Sequence, residues 1–564
     1  MKKIISTETT PIAFSYTTLI PIWKKKGSAL DLNMMRYIHG KEWDAKMLEA
    51  LVAERMKPKI HKAIPGIQIG GKAGHSSIEH LVLIKTWMLG MEVNNSTGIF
   101  QGFDMEKFFD KESLIDTINA LHVEGDISDK DYRMWYKLNC KTRISVVTSV
   151  GETDAARIFD SIGQGSFGAA LASSLNIGTA IYDATDGETL TELGHMPLNC
   201  LIFQDDIARL NTTLEQARRG ATLIGDTLAK KKLKSNLTKS RYVLLGSAKF
   251  KERTRQDARE NPVMMGSHIM EESSEEKYLG DWIHTEGTAA SILSTVNKRL
   301  NVQISKINVI MNLAENPKMY GLKNSMCART LYESEVVTSL LNNSASWIGI
   351  NDEIITKLQD FQNKFMLRFF EAPKQGTPKG IIELDSNMLL MKNRIMLNKL
   401  IYVGKIMAKS EDINMCRRAL LNGRNICKGK DLLTECENWC QDLDIPNITT
   451  GCLDTALIKN AVWAKNEDDI KLLMTNMTKL QDRYSDDRKE RDYIKRMSLR
   501  DTRIWFRQRS RMTLRIKANR SSVFQGNMGC RYCEEDIRIE NQDHLEQCEG
   551  FSYEQRGLDL TEEM

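Results

Sequence analysis

Two adjacent carboxylates, Asp205 and Asp206, stand inside Leu201-Ile202-Phe203-Gln204-Asp205-Asp206-Ile207-Ala208-Arg209-Leu210, between short apolar runs that read as strand, tight turn and strand. Such a hairpin holds both acids at a rigid tip. There they repel each other unless a cation lies between their oxygens, and a hard, oxygen-preferring ion such as Mg²⁺ is the natural occupant. A third acid, Asp104, follows an apolar strand end in Gly102-Phe103-Asp104-Met105-Glu106-Lys107-Phe108-Phe109-Asp110. It lies 101 positions before Asp205, so only the fold can bring the two together. Three carboxylates converging on two metal ions is the arrangement that performs phosphoryl and nucleotidyl transfer. Adjacent aspartates are common in themselves: Asp468-Asp469 and Asp486-Asp487 sit among polar neighbours and read as solvated loop or helix surface. Taken alone, the apolar flanks of Asp205 leave a metal site and an ordinary turn equally open.

A second constellation is Cys530-x₂-Cys533-x₁₀-His544-x₃-Cys548, preceded by Gly529. Two thiolates on a tight knuckle, with an imidazole and a thiolate about one helical turn apart, satisfy a closed tetrahedral site for one structural Zn²⁺. Cys436 and Cys440 have no partner pair at metal spacing and read as ordinary buried cysteines. Between Arg488 and Arg520 there are thirteen Lys or Arg against three Asp or Glu, a net of +10 in 33 residues, with Trp505 and Phe506 inside the run. Basic residues interleaved with aromatics suit phosphate contact and base stacking, through Arg503, Trp505, Arg507 and Arg511; an amphipathic helix docked on its neighbours would carry the same pattern.

The elements that position these groups follow from periodicity. Residues 18–40 read as an apolar strand, a basic turn with Lys24 and Lys26, and a return strand carrying Arg36. A helix is expected from Ala45 to Met56, stopped by Pro58, with Met47, Leu48, Leu51, Val52 and Met56 as its core face. Helices are expected over Lys111 to Leu121, Ser128 to Asn139 and Thr213 to Leu228, and a β-branched strand over Arg143 to Ser149. Leu171 to Asn176 can begin another helix. Beyond Ala289 the chain is strongly helical, and Ile354, Leu358, Phe361, Phe365 and Phe369, capped by Asn351-Asp352, mark a buried amphipathic helix ending near Pro373.

In order along the chain, Phe-Asp-x-Glu-Lys-x-Phe-Asp, Gln164-Gly165, Phe-Gln-Asp-Asp, Asn236 with Lys239, and Tyr278-Leu279-Gly280 resemble the palm of a reverse transcriptase, and most of all the enzymes of non-LTR retrotransposons. The resemblance covers roughly residues 15 to 550. It implies an α+β right-hand polymerase of fingers, palm and thumb that synthesises DNA on an RNA template from a DNA primer or target and deoxynucleoside triphosphates. Two Mg²⁺ would be held by Asp104, Asp205 and Asp206, and Lys239 would act as an auxiliary general acid beside the leaving pyrophosphate. Lys24, Lys26 and Arg36 would hold the triphosphate, and Phe109 would lie under the sugar and favour deoxynucleotides. Gln164 and Gly165 would line the template side, Pro65 to Gly74 would form a glutamine- and glycine-rich turn near the template, and Lys277 to Trp282 would grip the primer. A cysteine and histidine knuckle behind a helical extension belongs to the same pattern. Two departures stand out: no proline follows Gln164-Gly165, and Gln204 occupies a position where the family most often has a small or apolar residue.

The implied division is partial fingers over 1–98, palm over 99–285, thumb over 286–400, helical extension over 401–487, a basic nucleic-acid-binding segment over 488–524 and a zinc knuckle over 525–553. At 564 residues and 41% hydrophobic content the chain has room for three or four domains. A net charge of +5 and a pI near 8.4 are only mildly basic, so a nucleic-acid footprint must come from clustering. Eleven scattered cysteines, odd in number, argue for reduced thiols and an intracellular setting, nuclear or cytoplasmic, as a ribonucleoprotein. No stretch approaches the apolar length needed to span a bilayer, so no membrane partner is expected, and the oligomeric state is not legible. The segments before the first hairpin and after Cys548 are too short for a nuclease, so a truncated copy or one piece of a longer product, unable to nick DNA, is expected. The runner-up reading is an inactive or co-opted relative that binds nucleic acid without polymerising. Metal analysis of the purified chain is expected to find one zinc, lost in the Cys530→Ser, Cys533→Ser double variant.

Overall fold

Tyr16–Trp23 (β1) and Met35–Lys41 (β2) form an antiparallel hairpin in which Ile22 opposes Arg36. Trp43–Ala63 (α1) follows and runs straight through Pro58. It buries Ala45, Leu48, Val52, Met56 and Ile60, while Met47 and Leu51 are 41% and 49% exposed. The expected stop at Pro58 is therefore corrected, and the expected core face in part: Leu48, Val52 and Met56 are buried, Met47 and Leu51 are not. The proline ring points to solvent, where water can satisfy the carbonyl it leaves without a donor. Ser77–Val93 (α2) is buried on every side from Glu79 to Met91, its polar Glu79, His80, Lys85 and Thr86 included.

Gly98–Phe103 (β3) is the middle of the sheet that carries the acids. Leu114–Val123 (α3) and Asp129–Asn139 (α4) come next, each capped by a serine, then Thr142–Thr148 (β4), which pairs parallel with β1. Ala169–Thr185 (α5), Leu201–Phe203 (β5), Asp206–Asn211 (β6) and Leu214–Lys230 (α6) lead to Arg241–Leu245 (β7). A Thr213–Gln216 capping box starts α6. Glu271–Glu272 (β8) completes a five-stranded sheet of order β8-β7-β3-β6-β5, antiparallel but for the short edge pair β8 with β7. Alternation along the strands fills both faces. Ile99, Phe103, Ile202, Ile207 and Leu244 pack with Ile177 and Ile181 of α5 and Ala217, Ala221 and Ile224 of α6. Phe100, Leu201, Ala208, Leu210 and Val243 pack on the other face with Leu81, Ile84, Trp87 and Met88 of α2. Glu275–Tyr278 (β9) and Asp281–His284 (β10) form a hairpin whose turn residues Leu279 and Gly280 have φ of 47° and 87°. The fully buried Lys85–Asp281 ion pair, joined by the Trp347 indole N–H at 3.2 Å, fixes that hairpin to α2.

Helices dominate the remainder, the longer ones among them Thr288–Ala314 (α7), Asp352–Phe370 (α8), Met391–Met407 (α9), Met415–Ile426 (α10), Thr455–Thr475 (α11) and Leu499–Arg509 (α12). α8 is the helix read from the sequence, with Asn351 Oδ1 accepting from the Ile354 N–H at 3.1 Å and all five periodic residues buried. Asp469, on α11, is not a solvated surface acid: it accepts from Lys392, Lys465 and the Asn393 amide at 3.0–3.1 Å, whereas Asp468 is exposed.

This computed structural model describes residues 2–510 apart from 25–26, 141, 149–150, 159–161, 164, 187–190, 194–195, 199, 237, 317–323, 373–376, 378, 411–413, 451–453, 476–491 and 496. Among these no helix is long and apolar enough to cross a membrane. Two units result. One comprises Met1–Ile292, Ser346–Gly349 and Lys409–Glu435; the other comprises Leu293–Ala345, Ile350–Ala408 and the described residues from Cys436 on. Residues 409–435, assigned from the sequence to the helical extension, thus fold with the sheet, where α10 lies against α2.

In the second unit α12 docks on α8. The Phe506 ring stacks on Phe370 at 4.0 Å and 8°, Arg503 donates to the Phe369 carbonyl at 3.0 Å and pairs with Glu315 at 2.6 Å, and Arg507 pairs with Glu371 at 2.7 Å. Truncation of Phe506, which is fully buried, removes the ring and leaves a cavity. Phe506→Ala is expected to destabilise this unit by about 3–5 kcal/mol, read as the shift of its denaturant-unfolding transition.

Candidate active site

The acids meet because of strand register. Ile207 opposes Phe103 between β6 and β3, so the next residues outward, Asp206 and Asp104, leave the sheet side by side. Phe203 pairs with Asp206 across the hairpin, which leaves Gln204 and Asp205 as a two-residue turn. The first turn residue has φ 58°, the left-handed region that favours glycine, and here a glutamine occupies it. Asp104 is fixed from behind: its backbone N–H donates to the Ser240 hydroxyl at 3.1 Å, and its carbonyl accepts from the Asn236 N–H at 2.7 Å.

Asp104, Asp205 and Asp206 line an open cleft of about 920 Å³ together with Arg36, Lys239, Arg241, Glu276, Lys277 and Trp282. Burial and the charges of Asp205 and Asp104 push the Asp206 carboxyl up to about 7. Burial also raises Asp205, with a further contribution from Asp104 that Lys239 and Arg36 oppose. Glu276 is pushed up to about 7, chiefly by burial. The Lys239 ammonium sits 3.0 Å from Asp104 Oδ2, a partial answer to this crowding of negative charge. Among the described residues no three His, Cys, Asp or Glu side chains close on a single point as they stand. The donor set nevertheless suits hard cations: carboxylates that repel one another, one of them already beside an ammonium, are the oxygen ligands such ions take.

Arg36, exposed on β2, reaches this cleft, but Lys24 does not line it; the Lys24 N–H closes the hairpin on the Met34 carbonyl at 2.9 Å. Phe109 is half-buried, edge-on to Phe108 at 5.1 Å and packed on the sheet core, away from the cleft lining. Gly165, at φ 104°, lies against β2: a Cβ there would approach Ile38 Cγ2 to 3.2 Å and the His39 carbonyl to 3.4 Å. Tyr278 is buried, its hydroxyl donating to the Leu201 carbonyl at 3.3 Å and lying 3.1 Å from His80 Nδ1, so the β9–β10 hairpin is tied to β5. Arg503 and Arg507 hold α12 on α8, and Trp505 is 41% exposed. Lys26, Gln164, Arg511, Cys530, Cys533, His544 and Cys548 lie outside the described residues.

Arg241, Glu276 and Gln68 belong to the site without having been singled out in the sequence. Glu276 had a signal, since alternation along β9 puts it on the same side as Tyr278. Gln68 had only its place in a glutamine- and glycine-rich stretch.

The α+β fold is compatible with a right-hand polymerase. No family model and no curated protein matches the chain. Among solved structures the chain is similar to apo telomerase from Candida Tropicalis truncated from the C-terminal domain, at 12% identity over 49% of this chain and 55% of that one, TM-score 0.34. It is also similar to apo telomerase from Candida Tropicalis, at 10% identity over 74% and 73%, TM-score 0.37, and to the RNA-dependent RNA polymerase of a human picobirnavirus, at 13% identity over 75% and 64%, TM-score 0.33. The chain spans about half the length of the first of these. At such TM-scores the neighbours carry no argument, and the chemistry rests on the geometry of the cleft.

A raised carboxyl means that the native chain keeps a proton that the unfolded chain releases, so stability is lost as pH rises through the folded pKa. In metal-free buffer this carboxyl's own share of the stability is therefore lost between about pH 4 and pH 7, while the buried His39 and His80, held neutral where unfolded imidazoles charge, act in the opposite direction. The melting temperature of wild type relative to Asp206→Asn is expected to fall across that window, a comparison that thermal melts across pH will make.

Proposed function

We propose that this chain is an RNA-directed DNA polymerase of the non-LTR retrotransposon kind, extending a DNA primer on an RNA template by nucleotidyl transfer. The observation that carries the reading is the register that sets Asp104 beside Asp206, with Asp205 in the adjoining turn. Two Mg²⁺ held by Asp104, Asp205 and Asp206 would supply Lewis-acid activation of the primer 3′-hydroxyl and charge neutralisation at the α-phosphate and the leaving group.

The protein's own groups do the rest. The hydroxyl oxygen forms a bond to the α-phosphorus as the bond to pyrophosphate breaks. Arg36 at the lip of the cleft offers a guanidinium fork to the triphosphate, and Lys277 adds a point charge on the facing hairpin. Lys239, 3.0 Å from Asp104 in the same cleft, would donate a proton to the departing pyrophosphate. The β9–β10 hairpin, held by Tyr278 on β5 and by Asp281 on α2, is stiff enough to fix a primer end. One structural Zn²⁺ on Cys530, Cys533, His544 and Cys548 would complete a nucleic-acid-binding region at the far end of the chain.

The test is extension of a primer on an RNA template with deoxynucleoside triphosphates and Mg²⁺. Wild type is expected to extend it; Asp104→Asn and Asp205→Asn are expected to reduce extension to background while keeping or raising the melting temperature, because each removes one repelling charge. Full extension by either variant would sink the reading, and RNA binding without extension by wild type would favour a co-opted binding protein.

A further inference from the structure

The turn that carries Asp205 is held by a side chain 136 positions away. Gln68 is fully buried, and its Oε1 accepts two backbone hydrogen bonds, from the Gln204 N–H at 3.0 Å and from the Gly70 N–H at 2.9 Å. Its Nε2 donates to the Gln204 carbonyl at 3.4 Å. Two N–H donors converging on one atom settle which end of the amide is oxygen, since the flipped amide would point its NH₂ at both. Both backbone groups of Gln204 are thus engaged by one amide, and Gln204 is the residue that takes the positive φ of 58°.

The amide is itself held in place. Residues 67–69 run parallel to β5, the Ile202 N–H donating to the Ile67 carbonyl at 2.9 Å and the Ile69 N–H to the Ile202 carbonyl at 3.1 Å. On the other side α5 closes over the segment: the Ser174 hydroxyl donates to the Gly70 carbonyl at 2.8 Å. Gly178 leaves room for the glutamine, since a Cβ there would lie 3.0 Å from Gln68 Cβ and 3.1 Å from its Cγ. Gly70 is required by the turn, because a Cβ there would come within 2.3 Å of the Gln204 nitrogen.

A non-glycine residue in the left-handed region costs free energy and persists only where its surroundings impose it. Only a side chain that both accepts and donates can hold an N–H and a C=O of one residue at once, and an uncharged one avoids adding a further negative charge beside Asp205 and Asp206. We propose that Gln68 is a positioning residue which holds the Gln204–Asp205 turn in the conformation that presents Asp205 and Asp206 to metal. The inference rests on the reading of those two aspartates as metal ligands.

The experiment titrates Mn²⁺ into the full chain without nucleic acid, following free Mn²⁺ by electron paramagnetic resonance, alongside thermal melting. If wild type binds no Mn²⁺, the metal-ligand reading itself fails before any variant is compared. Given binding by wild type, Gln68→Met, which keeps the length of the side chain and loses the amide, is expected to weaken Mn²⁺ binding about 10- to 100-fold. Adding Gln204→Gly to Gln68→Met should recover most of that loss, because glycine takes positive φ without a clamp; a role in packing alone would not be rescued this way. Gly178→Ala serves as a second variant should Gln68→Met fold poorly. It favours the helix, keeps the amide and displaces it, and is expected to weaken binding in the same direction. Unchanged Mn²⁺ affinity in the folded variants, or a loss in Gln68→Met that Gln204→Gly leaves untouched, would overturn the proposal.

Discussion

Antiparallel pairing between β3 and β6 leaves the three acids no freedom to avoid one another. Once Phe103 opposes Ile207, Asp104 and Asp206 must emerge at the same end of the same sheet, and a two-residue turn delivers Asp205 beside them. Slipping the register by one residue would relieve the repulsion but would also turn every alternate side chain from one core face to the other. The apolar layers on both sides of the sheet therefore enforce an electrostatically unfavourable arrangement. The Asp206 carboxyl, pushed up to about 7 by burial first and by Asp205 and Asp104 after it, bears the mark. Around it the fold has gathered opposing charge: Lys239 on Asp104, with Arg36 and Lys277 on the cleft wall.

Much of this was legible because the signals are local. Short apolar runs on either side of Asp205-Asp206 marked the hairpin, and the run from Asn351 to Phe369 marked α8 with its cap. What was not legible depends on partners far along the chain. The burial of α1 turns on which of two apolar stripes meets the neighbouring helices, and the stripe containing Ala45 and Ile60 won over the one containing Met47 and Leu51. Asp469 looked solvated because Lys392 and Asn393, which hold it, are more than seventy positions away. Gln68 is of the same kind: its function lies in the backbone of a residue 136 positions further on, and nothing in residue type or spacing announces that.

The basic run shows a second limit of sequence reading. A count of charges registers sign and density but not what the charges face. In its described part Arg503 and Arg507 are turned inward to carbonyls and carboxylates of the helix below, with Phe506 stacked between them and the core. Arg guanidinium groups serve this purpose as well as they serve phosphate, because the same planar fork fits both. Trp505, on the outward side of α12, keeps a substantial exposed surface.

The ion pair between Lys239 and Asp104 has a consequence for how the protein is made. A site built from acids alone would hinder the closing of the sheet until a divalent ion arrived, tying maturation to supply. An ammonium on a flexible stem removes that dependence: it lends a positive charge during assembly and can swing aside afterwards, because the lysine side chain is mostly exposed. On the proposed reading, metal entry would be an exchange of one cation for another rather than a step in folding, so withdrawing Mg²⁺ would silence the cleft without unmaking the sheet that carries it.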